Sequence, residues 1–270
     1  MEAEPGNMKK IFLTGASSGI GLAIARGLCA KGHAIWGTSR DPSRLPTLQG
    51  LHPVELDLAD LAGISRTFQS CWQEAGSFDV VINNAGGGHF EAAEILSPEK
   101  VERLFRTLVF AHIELCRLAL IAMSARRSGL IINVTSLASR LPVPFMAAYN
   151  AAKAAMASYT FSLQLELRGS DVQIVDLQPA DICTDFNNAI VPAPADDPRV
   201  SETWEVVEHN MQNAPAPDLV AERVARLLES SRPPPRSTVG DVFQSRIAPL
   251  IFRFLPQRAA VWGLKKYYGL

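Results

Sequence analysis

Short apolar runs rich in β-branched side chains recur along the chain and alternate with longer stretches of helical period. KIFLTG (10–15), HAIWGTS (33–39), DVVINNAG (79–86), GLIINVTS (129–136) and VQIVDLQP (172–179) are almost uninterrupted, and PVELDL (53–58) is a weaker run of the same kind. A strand without polar alternation must be covered on both faces, which is the situation inside a parallel sheet. Between these runs, IGLAIARGLCAKG (20–32), AGISRTFQSCWQEAG (62–76), PEKVERLFRTLVFAHIELCRLALIAM (98–123) and YNAAKAAMASYTFSLQLELRG (149–169) place apolar residues at helical spacing. Strands alternating with helices predict right-handed crossovers and an α/β fold: a doubly wound parallel sheet with helices on both faces. There is no internal repeat.

Past residue 179 the texture changes. VPAPADDP (191–198) and NAPAP (213–217) bracket SETWEVVEHNMQ (201–212), a short amphipathic helix between proline-rich hinges. Residues 186–216 therefore read as a substrate-cover segment over a cleft, or as a surface excursion with no role. DLVAERVARLLES (218–230) reads as a surface helix stopped by RPPPR (232–236). In the tail, residues 241–270, Ile247, Leu250, Ile251, Phe254, Val261, Trp262 and Leu264 are interleaved with Arg246, Arg253, Arg258, Lys265 and Lys266. Such a stretch can cap an apolar substrate pocket, pack in a subunit interface, or make peripheral contact with an anionic membrane.

At 270 residues the chain is near the upper limit for one core, so residues 1–270 are expected to form one domain with decorations. The 47% hydrophobic and 20% charged residues fit a soluble globular protein, and a net charge of −1 lacks the basic face that nucleic acid requires. Cys29, Cys71, Cys116 and Cys183 have no C-x-x-C spacing, which argues against a zinc site or a disulfide framework and for a reducing compartment. MEAEPGNMKK lacks a signal-peptide core, and no run reaches the ~20 apolar residues of a membrane span, so a cytoplasmic location is expected.

The chemistry lies at the ends of the predicted strands. The first runs into TGASSGIG, where Gly15 can turn the chain while Gly19 and Gly21 admit a ligand close to backbone and helix. Ser17, Ser18 and Ile20 complete the loop, and the helix start behind it offers free N–H groups to a pyrophosphate. The second strand ends on Ser39 and Arg40 rather than on the carboxylate that takes a ribose hydroxyl. A guanidinium fork attracts a 2′-phosphate and a serine hydroxyl does not repel it, so NADP (NADPH/NADP+) is expected over NAD. A solvated surface arginine is the alternative. Asp57, ending the third strand in VELDL, is placed to meet the adenine amino group. The fourth strand ends in NNAGGG, where Asn83 to Gly86, with Asn84 and Ala85 between, make a small-residue turn at the sheet edge that holds ligands in open α/β folds.

Tyr149 and Lys153 stand four apart on one helix face, and Ser136 ends the strand before them. Free tyrosine has a pKa near 10, too high to exchange protons at neutral pH, and a neighbouring ammonium is expected to lower it. Pro142 and Pro144 put the helix start just before Tyr149, adding its positive end. A serine donor, an acidified phenol and an ammonium beside a dinucleotide site make a carbonyl–alcohol redox centre, with Ser136, Tyr149 and Lys153 as catalytic residues.

Taken in order, these motifs resemble the short-chain dehydrogenase/reductase family over roughly residues 8–240. TGASSGIG is similar to that family's TGxxxGxG cofactor loop, Asn83–Gly86 to its NNAG turn, and Ser136, Tyr149 and Lys153 to its catalytic serine and YxxxK. The resemblance implies a single-domain Rossmann-type fold, with Tyr149 and Lys153 also touching the cofactor. PADICT is similar to the family's PGxxxT, which implies Pro179 in the cofactor segment, Ile182 beside the nicotinamide ring and Thr184 near its carboxamide. A homodimer or homotetramer built on two long helices is implied as well. Two positions depart. Leu108 stands where the family has an asparagine that supports a water chain behind the lysine, and leucine cannot hydrogen-bond a water. Ala180 stands where glycine is usual. His89 faces either substrate or solvent, and Cys183 reads as a small buried filler. The expected function is an NADP(H)-dependent oxidoreductase interconverting an alcohol and a ketone or aldehyde on a small hydrophobic, steroid-, retinoid- or lipid-like substrate. The alternative, prompted by Leu108 and Ala180, is a low-turnover NADP(H)-binding sensor or scaffold.

Overall fold

A computed structural model of the chain describes residues 8–186, 190 and 197–270. Strands β1 (Lys10–Leu13), β2 (Ala34–Ser39), β3 (Leu51–Glu55), β4 (Val80–Asn83), β5 (Gly129–Val134), β6 (Val172–Pro179) and β7 (Arg236–Val239) form one sheet. Its order is β3-β2-β1-β4-β5-β6-β7, with every neighbouring pair parallel. Six strands follow the apolar runs. β7 is the addition: RSTV is short, sits behind three prolines and carries no apolar run, yet pairs with β6 from Asp176↔Arg236 to Pro179↔Val239.

The helices are α1 (Gly19–Ala30), α2 (Leu61–Ala75), α3 (Pro98–Phe105), α4 (Ala111–Arg126), α5 (Ala147–Glu166), α6 (Pro198–Gln212), α7 (Asp218–Glu229), α8 (Ala248–Phe254) and α9 (Gln257–Tyr267). On one face of the sheet, Ile24 and Leu28 of α1 and Val220 and Val224 of α7 pack in one core with Ile11, Ile82 and Ile132. The approach of the two helices is close, since a methyl at Gly27 would stand 3.4 Å from Ala221 Cβ. α7 is the expected surface helix, with Asp218, Glu222, Arg226 and Glu229 exposed, and its buried stripe docks on α1. On the other face, Phe68, Leu115, Met123 and Leu163 from α2, α4 and α5 bury Phe12, Ile131 and Ile174.

α3 and α4 run as one rod, Pro98–Arg126, through a π-turn at Arg106–Phe110. By length and composition this rod is apolar enough to cross a membrane, which corrects the expectation that no segment is. Half of its most apolar window is buried against the sheet and its neighbours, so the apolarity serves the core. A buried polar chain links β4, β5 and α5: Asn83 Nδ2 donates to Asn133 Oδ1 at 2.8 Å, and Asn133 Nδ2 donates to Thr160 Oγ1 at 2.8 Å. These directional bonds fix the rotation of α5, and with it where Tyr149 and Lys153 point.

Of the cover segment, residues 187–189 and 191–196, which hold most of the VPAPADDP hinge, lie outside the described residues. α6 buries Val200 and Val207 in a satellite core with Phe90, Met146 and Tyr268. Tyr268 thereby anchors the end of the tail, while α8 and α9 pair so closely that a methyl at Gly263 would touch Phe252 at 3.4 Å.

Candidate active site

The strand order reverses between β1 and β4, and the turns leaving these two strands interlock. Asn84 Nδ2 donates to the carbonyls of Thr14 (2.9 Å) and Gly15 (3.2 Å), while Thr14 Oγ1 accepts from the backbone N–H of Asn84 and of Ala85. Gly15 has φ +70°, and a side chain there would meet Ala85 Cα at 2.8 Å. At Gly21 a methyl would lie 2.0 Å from the Gly15 carbonyl oxygen. The first turn of α1 therefore sits flush on the loop. Ser18 enters α1 in extended backbone and its side chain does not cap the helix, which leaves the leading N–H groups open toward the cleft.

Every cofactor-binding and catalytic position expected from the sequence lines one cavity of about 1460 Å³ at the carboxyl ends of the strands. Ser39 reaches Ser17, Oγ to Oγ, at 3.2 Å, and Arg40 stands exposed at the cavity wall in no ion pair among the described residues. Asp41, also on the cavity wall, is not paired with it: its carboxylate accepts from the backbone and hydroxyl of Ser43, which holds its pKa below the usual range. Asp57 lines the outer cavity just beyond β3 and accepts from Ala59 N–H at 2.9 Å. Thr184 faces Gly19 across the cleft, where a methyl on the glycine would stand 3.5 Å from Thr184 Cβ. Pro179 and Ile182 line the same wall. A methyl at Gly240, beyond β7, would stand 2.6 Å from the Ala180 methyl. A bare position at 240 is what makes room for the departure at 180.

Ser136 follows β5, and Tyr149 lies in the first turn of α5 with Lys153 one turn on. Lys153 is buried and its ammonium donates to the Val134 carbonyl at 2.9 Å. It stands 5.8 Å from the centroid of the Tyr149 ring. Burial lowers its pKa to about 8, with Asp176 opposing. Here the sequence expectation is corrected: the Tyr149 phenol is not acidified but pushed up to about 12, because burial outweighs the downward pull of the Ser136 hydroxyl. Asp181 adds to the rise.

One further correction and several additions concern neighbouring side chains. Cys183 is exposed rather than a buried filler. Phe145, beside the site, takes φ +59°, a left-handed conformation unfavourable for a bulky residue. His89 lines the cavity. Leu108 is fully buried in the π-turn as a hydrocarbon plug, and a methyl at Gly86 would stand 3.4 Å from it and 3.8 Å from Lys153 Nζ. His112, which the sequence did not single out, is buried one turn later with Nε2 unpartnered among the described residues. Its pKa falls to about 3 through burial and then the Lys153 charge, so it stays neutral, and its ring bonds back to the Leu108 carbonyl. Only its apolar neighbourhood and helical offset from residue 108 could have signalled it. Asp181 lines the cavity as a largely buried carboxylate raised above the usual range by that burial. Gln244 of the tail holds it, donating from Nε2 to Asp181 Oδ2 at 2.5 Å and accepting from Asp181 N–H at 3.2 Å.

The cleft fits a nicotinamide dinucleotide on its own terms: glycines where a Cβ would collide, an uncapped helix start, and a free guanidinium beside two serines. Residues 9–195 match the family model described as short chain dehydrogenase. A 3-ketodihydrosphingosine reductase of Bacteroides thetaiotaomicron is 28% identical over 266 residues, covering 96% of this chain and 98% of the relative. An NADP-dependent 3-hydroxy acid dehydrogenase of Shigella flexneri is 30% identical over 202 residues, 72% of this chain and 81% of that protein. Among solved structures, a short-chain dehydrogenase from Streptomyces avermitilis superposes with a TM-score of 0.80 at 25% identity, covering 96% and 97% of the two chains. The interlocked turns, the Ser–Tyr–Lys arrangement and these likenesses agree: the chain belongs to the short-chain dehydrogenase family of oxidoreductases.

Proposed function

We propose that the protein is an NADPH-dependent reductase that converts a ketone on a long, apolar, lipid-like substrate to the alcohol. The observation that carries this reading is the cavity itself, which runs from the glycine loop past Ser136, Tyr149 and Lys153 to Phe252, Leu255 and Trp262 of the tail. A dinucleotide needs only the inner part, and the outer apolar wall suits a chain. The relative named a 3-ketodihydrosphingosine reductase is consistent with such a substrate. The free Arg40 fork next to Ser39 favours a 2′-phosphate, and a serine dehydrogenase solved with NADP+ shares the fold at 27% identity.

Held by the glycine loop, Arg40 and Lys153, a nicotinamide dinucleotide would supply the hydride for the carbonyl carbon. The Ser136 hydroxyl donates a hydrogen bond to the carbonyl oxygen and fixes its position. As negative charge grows on that oxygen, Tyr149 delivers its proton to it. A phenol pushed up to about 12 is protonated at neutral pH, the form that reduction needs, though burial alone makes it a weaker acid. Lys153, pinned by Val134, keeps a positive charge behind the phenol to stabilise the phenolate left at the end of the step. His112 and Asp181 stand near the same groups as a neutral imidazole and a carboxylate. Asp181 gives the wall beside the apolar tail residues a place for a polar or cationic head. The exposed Phe110 and Ile121 of the long rod and Phe161 and Leu165 of α5 support assembly into a homodimer through these helices.

A panel of long-chain, steroid and retinoid ketones followed through NADPH absorbance tests this directly. Tyr149→Phe should lower kcat/KM by about 10²–10⁴ while nucleotide binding persists. Tight NADPH binding with no turnover of any carbonyl would favour a sensor instead.

A further inference from the structure

Eleven of the seventeen exposed large hydrophobic side chains among the described residues fall between Val242 and Leu270. On α8, Leu250, Ile251 and Phe254 share one face, and Phe254 is 75% exposed. On α9, Arg258, Val261, Trp262, Lys265 and Lys266 follow helical spacing along one side, while Gly263 on the opposite side packs on Phe252. Residues 242–270 carry five cations and no acidic side chain. All five cations are exposed, and none is in an ion pair among the described residues. Arg253 and Lys266 instead lie 5.8 Å and 5.5 Å from the rings of Phe254 and Trp262. Phe243, Leu255 and Trp262 are exposed and also line the cavity, so this outer face continues into the cavity rim.

We propose that the α8–α9 hairpin docks on an anionic phospholipid bilayer and seats the cavity rim among the headgroups. Aromatic and aliphatic bodies bury at the acyl boundary while the arginine and lysine heads reach the phosphates. Each basic residue near such a surface strengthens binding roughly fivefold. A second copy of the chain fits this face poorly, because it would set five cations against five. A neutral apolar partner would leave all five uncompensated. The docking stands on this surface alone and does not depend on which ketone is reduced or on the nucleotide used.

The test sediments the full chain with vesicles of phosphatidylcholine alone and of phosphatidylcholine mixed with phosphatidylglycerol. The protein is expected to pellet with the mixed vesicles and to be released by added salt. Arg253→Glu combined with Arg258→Glu and Lys265→Glu should weaken binding by about a hundredfold or more, and Phe254→Ser should weaken it independently. None of these four residues lines the cavity, and all are exposed, so an unchanged thermal midpoint will show that the variants fold. Three results would each overturn the proposal: failure to pellet with either vesicle, equal binding to both, or a light-scattering mass that halves in Phe254→Ser because a second copy covers this face.

Discussion

Tyr149 and Lys153 are each held in the less charged direction by burial, and the consequences can be measured separately. Lys153 falls from an ordinary value of 10.5 to about 8, so its ammonium is disfavoured by folding. Between those two values the unfolded chain binds more protons than the folded one, and stability rises with pH through that window. Below about pH 8 the cost of burying the ammonium is fully present, on the order of 3 kcal/mol at most. Removing the charge in Lys153→Met should therefore shift the urea midpoint most favourably at pH 7, and its advantage over the natural protein should shrink by pH 9.5. A pH-independent difference would show that the ammonium is not desolvated. Arg40 makes the second prediction at this scale. Arg40→Ala should raise the dissociation constant for NADPH by tenfold or more, on the order of one lost charge-assisted fork, and leave that for NADH nearly alone. Equal changes would return Arg40 to the solvated surface.

At the scale of elements, Gly21 is the most demanding position. Gly21→Ala would push a methyl to within 2.0 Å of the Gly15 carbonyl oxygen, so α1 must lift off the loop. Loss of nucleotide binding with a lower thermal midpoint is expected, read by calorimetry and titration. The strand–loop–helix units that carry the glycine loop, the NNAG turn and the Tyr–Lys pair were legible because each combines an uninterrupted apolar run with turn residues. β7 was hidden because RSTV has no such run and is recognised only by its pairing with β6. α7 was legible as a surface helix but not in its docking, because the partner of its apolar stripe lies on α1, far away in sequence. His112 and Asp181 escaped for a related reason. One is a lone histidine in an apolar helix and the other a lone acid in a loop, and both gain meaning from residues far away in sequence. The phenol was misread in direction because i,i+4 spacing shows the neighbour but not the depth of burial.

For the whole molecule, the two exposed apolar faces lie on different elements. The long rod and α5 present Phe110, Ile121, Phe161 and Leu165, without the basic excess of the tail hairpin. Assembly through that face predicts that Phe161→Glu halves the particle mass in light scattering while the chain still folds; an unchanged mass would place the subunit contact elsewhere. The outer hairpin is not isolated from the chemistry either. Gln244, at its root, grips both the carboxylate and the backbone of Asp181, sixty-three residues earlier, and its amide also bonds the Tyr267 hydroxyl at 3.1 Å. That amide is a strut between the tail and the Asp181 loop of the cavity wall: if the outer helices rest on another surface, a push on them would be passed to the floor of the cavity.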